Sequence, residues 1–110
     1  MTDKRIVLTT TGTKEEAQKI ARGLVERRLA ACVNVVGPVE SVYRWKGAVE
    51  ANAEFLLLIK TTAGAFGAVR DAIKELHSYE LPECVMVTIE DGSAEYLAWI
   101  ADSIGEADEM

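Results

Sequence analysis

The apolar positions of the chain alternate between two spacings, and the switches mark its elements. Arg5-Ile6-Val7-Leu8-Thr9-Thr10 is dense in β-branched residues and predicts a strand, broken at Thr11-Gly12. The spacing then turns helical. Ala17, Ile20, Ala21, Leu24 and Val25 fall at i, i+3, i+4, i+7 and i+8 as one apolar stripe, with Glu15, Lys19, Arg22, Glu26 and Arg27 toward water. Thr13 predicts the N-cap, Glu16 completes a capping box, and the helix is expected to reach about Arg28. Further on, Phe66, Val69, Ile73 and Leu76 predict a second helix over roughly Ala63 to His77, its first turn weakened by Gly64 and Gly67. Ser78 to Glu83 is a loop because Pro82 cannot sit mid-helix and biases Leu81 to extended geometry. Cys84 to Ile89 predicts a strand, Glu90-Asp91-Gly92 a turn, and Ser93 with Tyr96, Leu97 and Ile100 a short helix to about Ser103.

Between the two long helical stripes lies the stretch around which the chain is organised, Ala30 to Thr61. One arm runs from Ala30 to Val36, passes Gly37-Pro38, and continues from Val39 to Trp45. The return arm runs from Ala48 to Lys60, and Lys46-Gly47 between them predicts a two-residue hairpin turn. Both arms exceed the usual strand of about 5–6 residues. Arms that long project past the core of a small domain. Phe55-Leu56-Leu57-Leu58-Ile59 is apolar throughout, so both faces of that strand carry apolar side chains. With too few helices to cover two faces, the pattern predicts a homo-oligomer.

The order β-α-β-β-α-β plus a terminal helix predicts an α+β, ferredoxin-like sandwich with an extra C-terminal helix and a long β-hairpin. Residues 1–110 are expected to form one domain, with Glu106 to Met110 as a frayed acidic tail. A net charge of −6 argues against nucleic acid and anionic membrane as partners, both of which call for a basic surface. The chain shows no apolar run near membrane-spanning length and no signal-peptide layout at Met1 to Arg5, which predicts a cytoplasmic protein. Two widely separated cysteines, Cys32 and Cys84, fit reduced thiols in such a compartment.

Candidate chemistry is sparse. His77, the only histidine, reads either as a metal ligand or acid/base group, or as a cap at a helix C-terminus. Cys32 and Cys84 read as inert thiols, because no neighbouring residue supplies a base. Asn34 sits polar in an apolar run, either satisfied in the core or lining a pocket. Tyr43 and Trp45 alternate on one strand face near the tip and read as interface anchors, with ligand stacking second. Lys60 reaches solvent or a cleft between subunits. Glu50 and Glu54 share a strand face, as ligands for a hard cation or as edge and interface charges. No nucleotide-loop, zinc-protease or nucleophile-elbow motif is present, so no enzyme is expected.

Several of these residues fall in a recognisable set. Arg28-Leu29-Ala30-Ala31-Cys32-Val33-Asn34, Ser41-Val42-Tyr43-Arg44-Trp45-Lys46-Gly47, Lys60-Thr61-Thr62, His77-Ser78-Tyr79-Glu80-Leu81-Pro82-Glu83 and Gly92-Ser93 with Tyr96-Leu97-Ala98-Trp99-Ile100 resemble the CutA family of divalent-cation tolerance proteins, from Lys4 to Gly105. The resemblance implies a homotrimer similar in architecture to the PII signalling proteins, with hairpin arms packed across neighbouring subunits. It implies a cytoplasmic, non-enzymatic role in tolerance of divalent cations such as copper. It also implies an inter-subunit cleft lined by Cys32, Asn34, Tyr43, Trp45, Lys60, His77, Tyr79, Pro82 and Glu83. This chain has Thr9 and Leu76-His77 where copper-binding members carry a cysteine and a histidine pair, and Ser78 where proline is common. A weak site is therefore expected, with His77 as metal ligand beside a carboxylate of a neighbouring subunit. The alternative is a PII-like signalling or scaffold trimer that holds a small anionic ligand on Lys60 and Asn34.

Overall fold

A computed structural model of the chain describes residues 2–105. The elements are β1 (Lys4–Thr11), α1 (Lys14–Glu26), β2 (Cys32–Trp45), β3 (Ala48–Thr62), α2 (Phe66–Leu76), β4 (Val85–Thr88) and α3 (Ala94–Ser103). All strand pairs are antiparallel, in the order β2-β3-β1-β4. This is the α+β, ferredoxin-like arrangement predicted from the element order. The predicted tail, Glu106 to Met110, lies outside the described residues.

Local chemistry explains the boundaries. Thr13 Oγ1 accepts from the Glu16 backbone N–H at 3.1 Å, which is half of the predicted capping box. The other half is absent: the Glu16 carboxylate turns instead to the loop after α2, accepting from Ser78 N–H at 2.6 Å and Ser78 O–H at 3.1 Å. α1 stops because Arg28 adopts a positive φ of 59° and its neighbours fold back onto the last turn, Leu29 N–H donating to Leu24 O at 2.9 Å. α2 begins at Phe66, the first residue of the apolar stripe and later than the expected Ala63, since Ala63 to Ala65 make a turn in which Thr62 Oγ1 accepts from Ala65 N–H. At the hairpin tip both Lys46 (φ 51°) and Gly47 (φ 84°) are left-handed, the pairing a two-residue turn demands if the strands are to keep their twist.

The core lies between the sheet and α1 with α2. Val7, Leu57 and Ile59 from the strands meet Ala17, Ile20 and Leu24 of α1 and Val69, Ala72 and Ile73 of α2. Val25, predicted in the α1 stripe, stays exposed at its edge. The opposite face is not bare. Tyr96 of α3 lies beside Cys32, whose side chain projects from the face opposite Val33. Ile100 of α3 is fully buried outside the main core. Arg28 anchors this helix: its guanidinium donates to Asp102 O at 3.0 Å and its carbonyl accepts from Gly105 N–H at 3.1 Å. The premise that no helix is available for the second face thus needs correction, although Val36, Val85 and Val87 stay exposed.

β1 pairs with β3 only as far as Thr11↔Phe55. Beyond that point β3 pairs with β2 alone, from Val39↔Glu54 to Trp45↔Ala48. The hairpin therefore leaves the body as a two-stranded ribbon, and the long axis of the molecule measures 48 Å against 30 and 21 Å for the other two.

Three threonines face the core side. Thr11 O–H donates to Thr13 O at 2.8 Å and Thr61 O–H to Leu29 O at 2.7 Å, but the fully buried Thr9 hydroxyl has no partner among the described residues. An unpartnered buried hydroxyl costs about 1–3 kcal/mol. Thr9→Val, which keeps the shape, is expected to raise the urea midpoint by an amount equivalent to about 1 kcal/mol at unchanged m-value. A lower midpoint would show that the hydroxyl is bonded.

Candidate functional site at the root of the hairpin

The ribbon departs from the sheet where β2 carries a bulge between Val36 and Val39. The bulge sets one extra β2 residue against β3 and breaks the ladder there. Gly37 sits so close to β3 that a Cβ would lie 2.6 Å from Phe55 Cδ2 and 3.1 Å from Glu54 O, so only glycine fits without displacing backbone. Next to it the Glu54 side chain is buried, 6 % exposed. This corrects the pairing of Glu50 and Glu54 as one cation site. Glu50 is exposed near the tip, while Glu54 Oε2 accepts from Tyr79 O–H at 2.6 Å.

Tyr79 lies three residues beyond α2, and its position is over-determined. Its backbone N–H donates to His77 Nδ1 at 3.0 Å, and the two rings pack at 4.6 Å between centroids. Because Nδ1 accepts a hydrogen bond here, the ring hydrogen sits on Nε2, which donates to Thr10 O at 2.6 Å. His77 is 8 % exposed. Its Nδ1 lies 3.9 Å from Glu16 Oε2, the oxygen already taken by Ser78 N–H. Both ring nitrogens are thus committed inside the chain. A ligand role for His77 would require the imidazole to give up Thr10 or Tyr79. Thr9, also buried, offers a hydroxyl and no thiolate. This set does not fit a tight copper site, which needs several nitrogen, oxygen or sulfur donors free to converge.

Burial, and then the Glu54 carboxylate it donates to, push the Tyr79 phenol well above the usual tyrosine range. Tyr79 was expected in a cleft and Glu54 beside Glu50, but nothing in the sequence around either residue pairs the two. Glu54 adjoins the Phe55–Ile59 apolar run, the one signal that this carboxylate would be drawn inward.

The other predicted site residues lie elsewhere. Cys32 and Asn34 flank Lys60 and Leu58 across the ladder, and Lys60 Nζ donates to Asn34 Oδ1. Tyr96 joins this group through Cys32, a residue the sequence reading had not placed there, and burial first, then Cys32, push its phenol up. Tyr43 and Trp45 stand near the far end of the ribbon, where Asn52 Nδ2 donates to the Tyr43 hydroxyl and Lys46 lies over the Trp45 ring at 5.7 Å. Pro82 is half-buried and Glu83 exposed in the loop before β4. One chain therefore holds these residues in four places: root, second sheet face, tip and the loop before β4. Cys32 and His77 are also apart, since Cys32 aligns through Lys60 with Ile6 while His77 bonds Thr10, about 13 Å along β1. Cys84 is held above the usual thiol range by burial, with Arg70 opposing.

A sequence model described as CutA1 divalent ion tolerance protein matches residues 5–103. The chain is 46 % identical to the divalent-cation tolerance protein CutA of Thermus thermophilus, over 93 % of this chain and 99 % of that one. The crystallised Thermus protein superposes with a TM-score of 0.91. The CutA homolog of Xenopus laevis is 46 % identical over 82 % of this chain, which spans 60 % of that longer protein. The Archaeoglobus fulgidus structure, titled as a periplasmic divalent cation tolerance protein CutA, gives a TM-score of 0.90 at 39 % identity, covering 93 % of this chain and 99 % of that one.

The phenol of Tyr79 carries a pH signature. An unfolded tyrosine loses its proton near 10.0, while the folded Tyr79 keeps it to higher pH, so above that point the native state binds more protons than the unfolded one. Stability is then fully present below about pH 10 and declines above it. Urea midpoints of the wild type should fall more steeply between about pH 9 and pH 11 than those of Tyr79→Phe, Tyr96 keeping its share of the slope in both. Parallel slopes would remove Tyr79 from the account.

Proposed function

The chain belongs to the CutA1 divalent ion tolerance family, and on that premise we propose that it works as a homotrimer whose ribbons lie across neighbouring subunits and whose assembled surface handles divalent cations such as copper. The ribbon carries this reading. Val42 and Val49 are each 65 % exposed on one of its faces, with Ala51 and Ala53 beside them, while Tyr43 and Trp45 occupy the other. A lone two-stranded ribbon is marginally stable in water. One with apolar side chains on both faces needs a covering surface. The sheet also presents two unlike open edges, β2 and β4, and exposes Val85, Met86 and Val87 at the second. Unlike edges that meet head to tail close into rings. Three copies is the number the family resemblance implies.

Cation handling in this reading is weak and does not pass through His77. The excess of carboxylates behind the net charge of −6 favours cations at the surface without a closed site. Among the described residues no three His, Cys, Asp or Glu side chains converge within one chain. No catalytic step is part of the proposal. A cytoplasmic location is, on the strength of two free thiols, and recovery of the protein in osmotic-shock fluid would overturn it. A second reading, a PII-like scaffold that holds a small anion, is favoured by the grouping of Lys60, Asn34 and Tyr96 on the second face.

The mass in solution tests the assembly. Three 12.0 kDa chains give about 36 kDa. Val49→Glu is expected to shift the mass toward one chain while leaving far-UV circular dichroism intact, because Val49 touches little in a single chain. A wild type that runs as a monomer at all concentrations would sink the proposal. For the cation, calorimetric titration with Cu(II) should give the same weak uptake in wild type and in His77→Gln. A saturable site lost on substitution would return the imidazole to the ligand set.

A further inference from the structure

We propose that the hydrogen bond from Tyr79 to Glu54 aims the ribbon, so that Tyr79 and Glu54 are positioning residues for assembly. The inference rests on the assembly reading above and names how that assembly is specified.

The bond stands where direction is decided. Thr11↔Phe55 is the last pairing of β1 with β3, and Glu54 is the next residue outward. From there the ribbon is tied to the body by β2 and β3 alone, and the β2 bulge between Val36 and Val39 interrupts their ladder at that level. A two-stranded strip interrupted by a bulge bends and twists readily. The Tyr79 hydroxyl supplies a third tie, and its own support leads back to rigid elements. Its N–H is held by His77 Nδ1, the His77 Nε2–H by Thr10 O of β1, and the adjoining Ser78 by the Glu16 carboxylate of α1. The brace therefore runs from the ribbon root to the middle layer of the sheet and to the first turn of a helix.

Lever length shows why one bond matters. Seven residues from Ala48 to Glu54 span about 23 Å at ~3.3 Å per residue, so a 10° swing at the root moves the tip by about 4 Å, nearly one strand spacing. A shift of that size takes Tyr43, Trp45, Val42 and Val49 out of register with any surface built to receive them. The fold of the body would hardly register it, because those residues touch little else in the chain. Glu54 also fits this role better than a packing role. A buried carboxylate is costly unless it is bonded, and an apolar residue would fill the space more cheaply.

Mass measurements over a dilution series in a fixed, sub-denaturing urea concentration test this, with far-UV circular dichroism on the same samples. Tyr79→Phe and Glu54→Ala are expected to raise the concentration at which the assembly dissociates by about tenfold, the scale of one charge-assisted hydrogen bond, at unchanged circular dichroism. Glu54→Gln, whose carbonyl still accepts from Tyr79, should stay within about threefold of wild type. The double variant Tyr79→Phe with Glu54→Ala should be no weaker than Glu54→Ala alone, since both remove one interaction. An assembling wild type with Tyr79→Phe dissociating at the same concentration would overturn this inference alone. A wild type that never assembles would overturn the assembly reading and this inference together.

Discussion

A strand pair that leaves its sheet has no layer above or below it, and that condition governs the rest of this structure. Side chains on β2 and β3 alternate between two faces, so past Phe55 both faces of the ribbon meet water unless another surface covers them. Backbone pairing alone does not hold such a strip firmly. The body responds at the root. The bulge, the glycine pressed against Phe55 and the buried Glu54 all fall within a few residues of the point where β1 stops. Each feature looks incidental by itself. Together they hold a long lever whose exposed valines and aromatics have little to pack on within one chain.

The single histidine shows how hydrogen bonding decides chemistry. An imidazole at the end of a helix in a cation-tolerance family invites assignment as a ligand. Its two nitrogens are nevertheless spent, one donating to Thr10 O and the other accepting from Tyr79 N–H. A metal would have to compete with two short bonds in a nearly closed space, without a converging set of partners beside it. The strand register likewise keeps Cys32 away from His77.

The C-terminal helix occupies an intermediate position. It closes part of the second sheet face, held by Arg28 at its C-terminal end and by Tyr96 over Cys32. Tyr96 and Trp99 still lie half-exposed against each other at 5.4 Å, beside a sheet face that remains apolar at Val85, Val87 and Val36. The helix thus narrows the uncovered surface and leaves its centre exposed.

Periodicity along the chain determined a good deal without any coordinates. Helical spacing marked Ile20 and Leu24, Val69 and Ile73 as core, and the long arms with Lys46-Gly47 at the bend determined the hairpin. The reason is physical: these features depend on neighbours within one or two turns, or on the two-residue repeat of a strand. The five-residue apolar run in β3 places apolar side chains on both faces, but the seating of the predicted C-terminal helix on the second face does not follow from it, because α3 attaches through Arg28, far away in sequence. What only the tertiary structure decided is the use of the polar side chains. Glu16 serves Ser78 and not its own helix end, Glu54 bonds Tyr79 across 25 positions, and His77 is consumed by a strand carbonyl 67 positions away. A charged or ring side chain offers the same donors and acceptors wherever it stands. Its role is set by which partners the fold brings within 3 Å or so, and no local spacing records that.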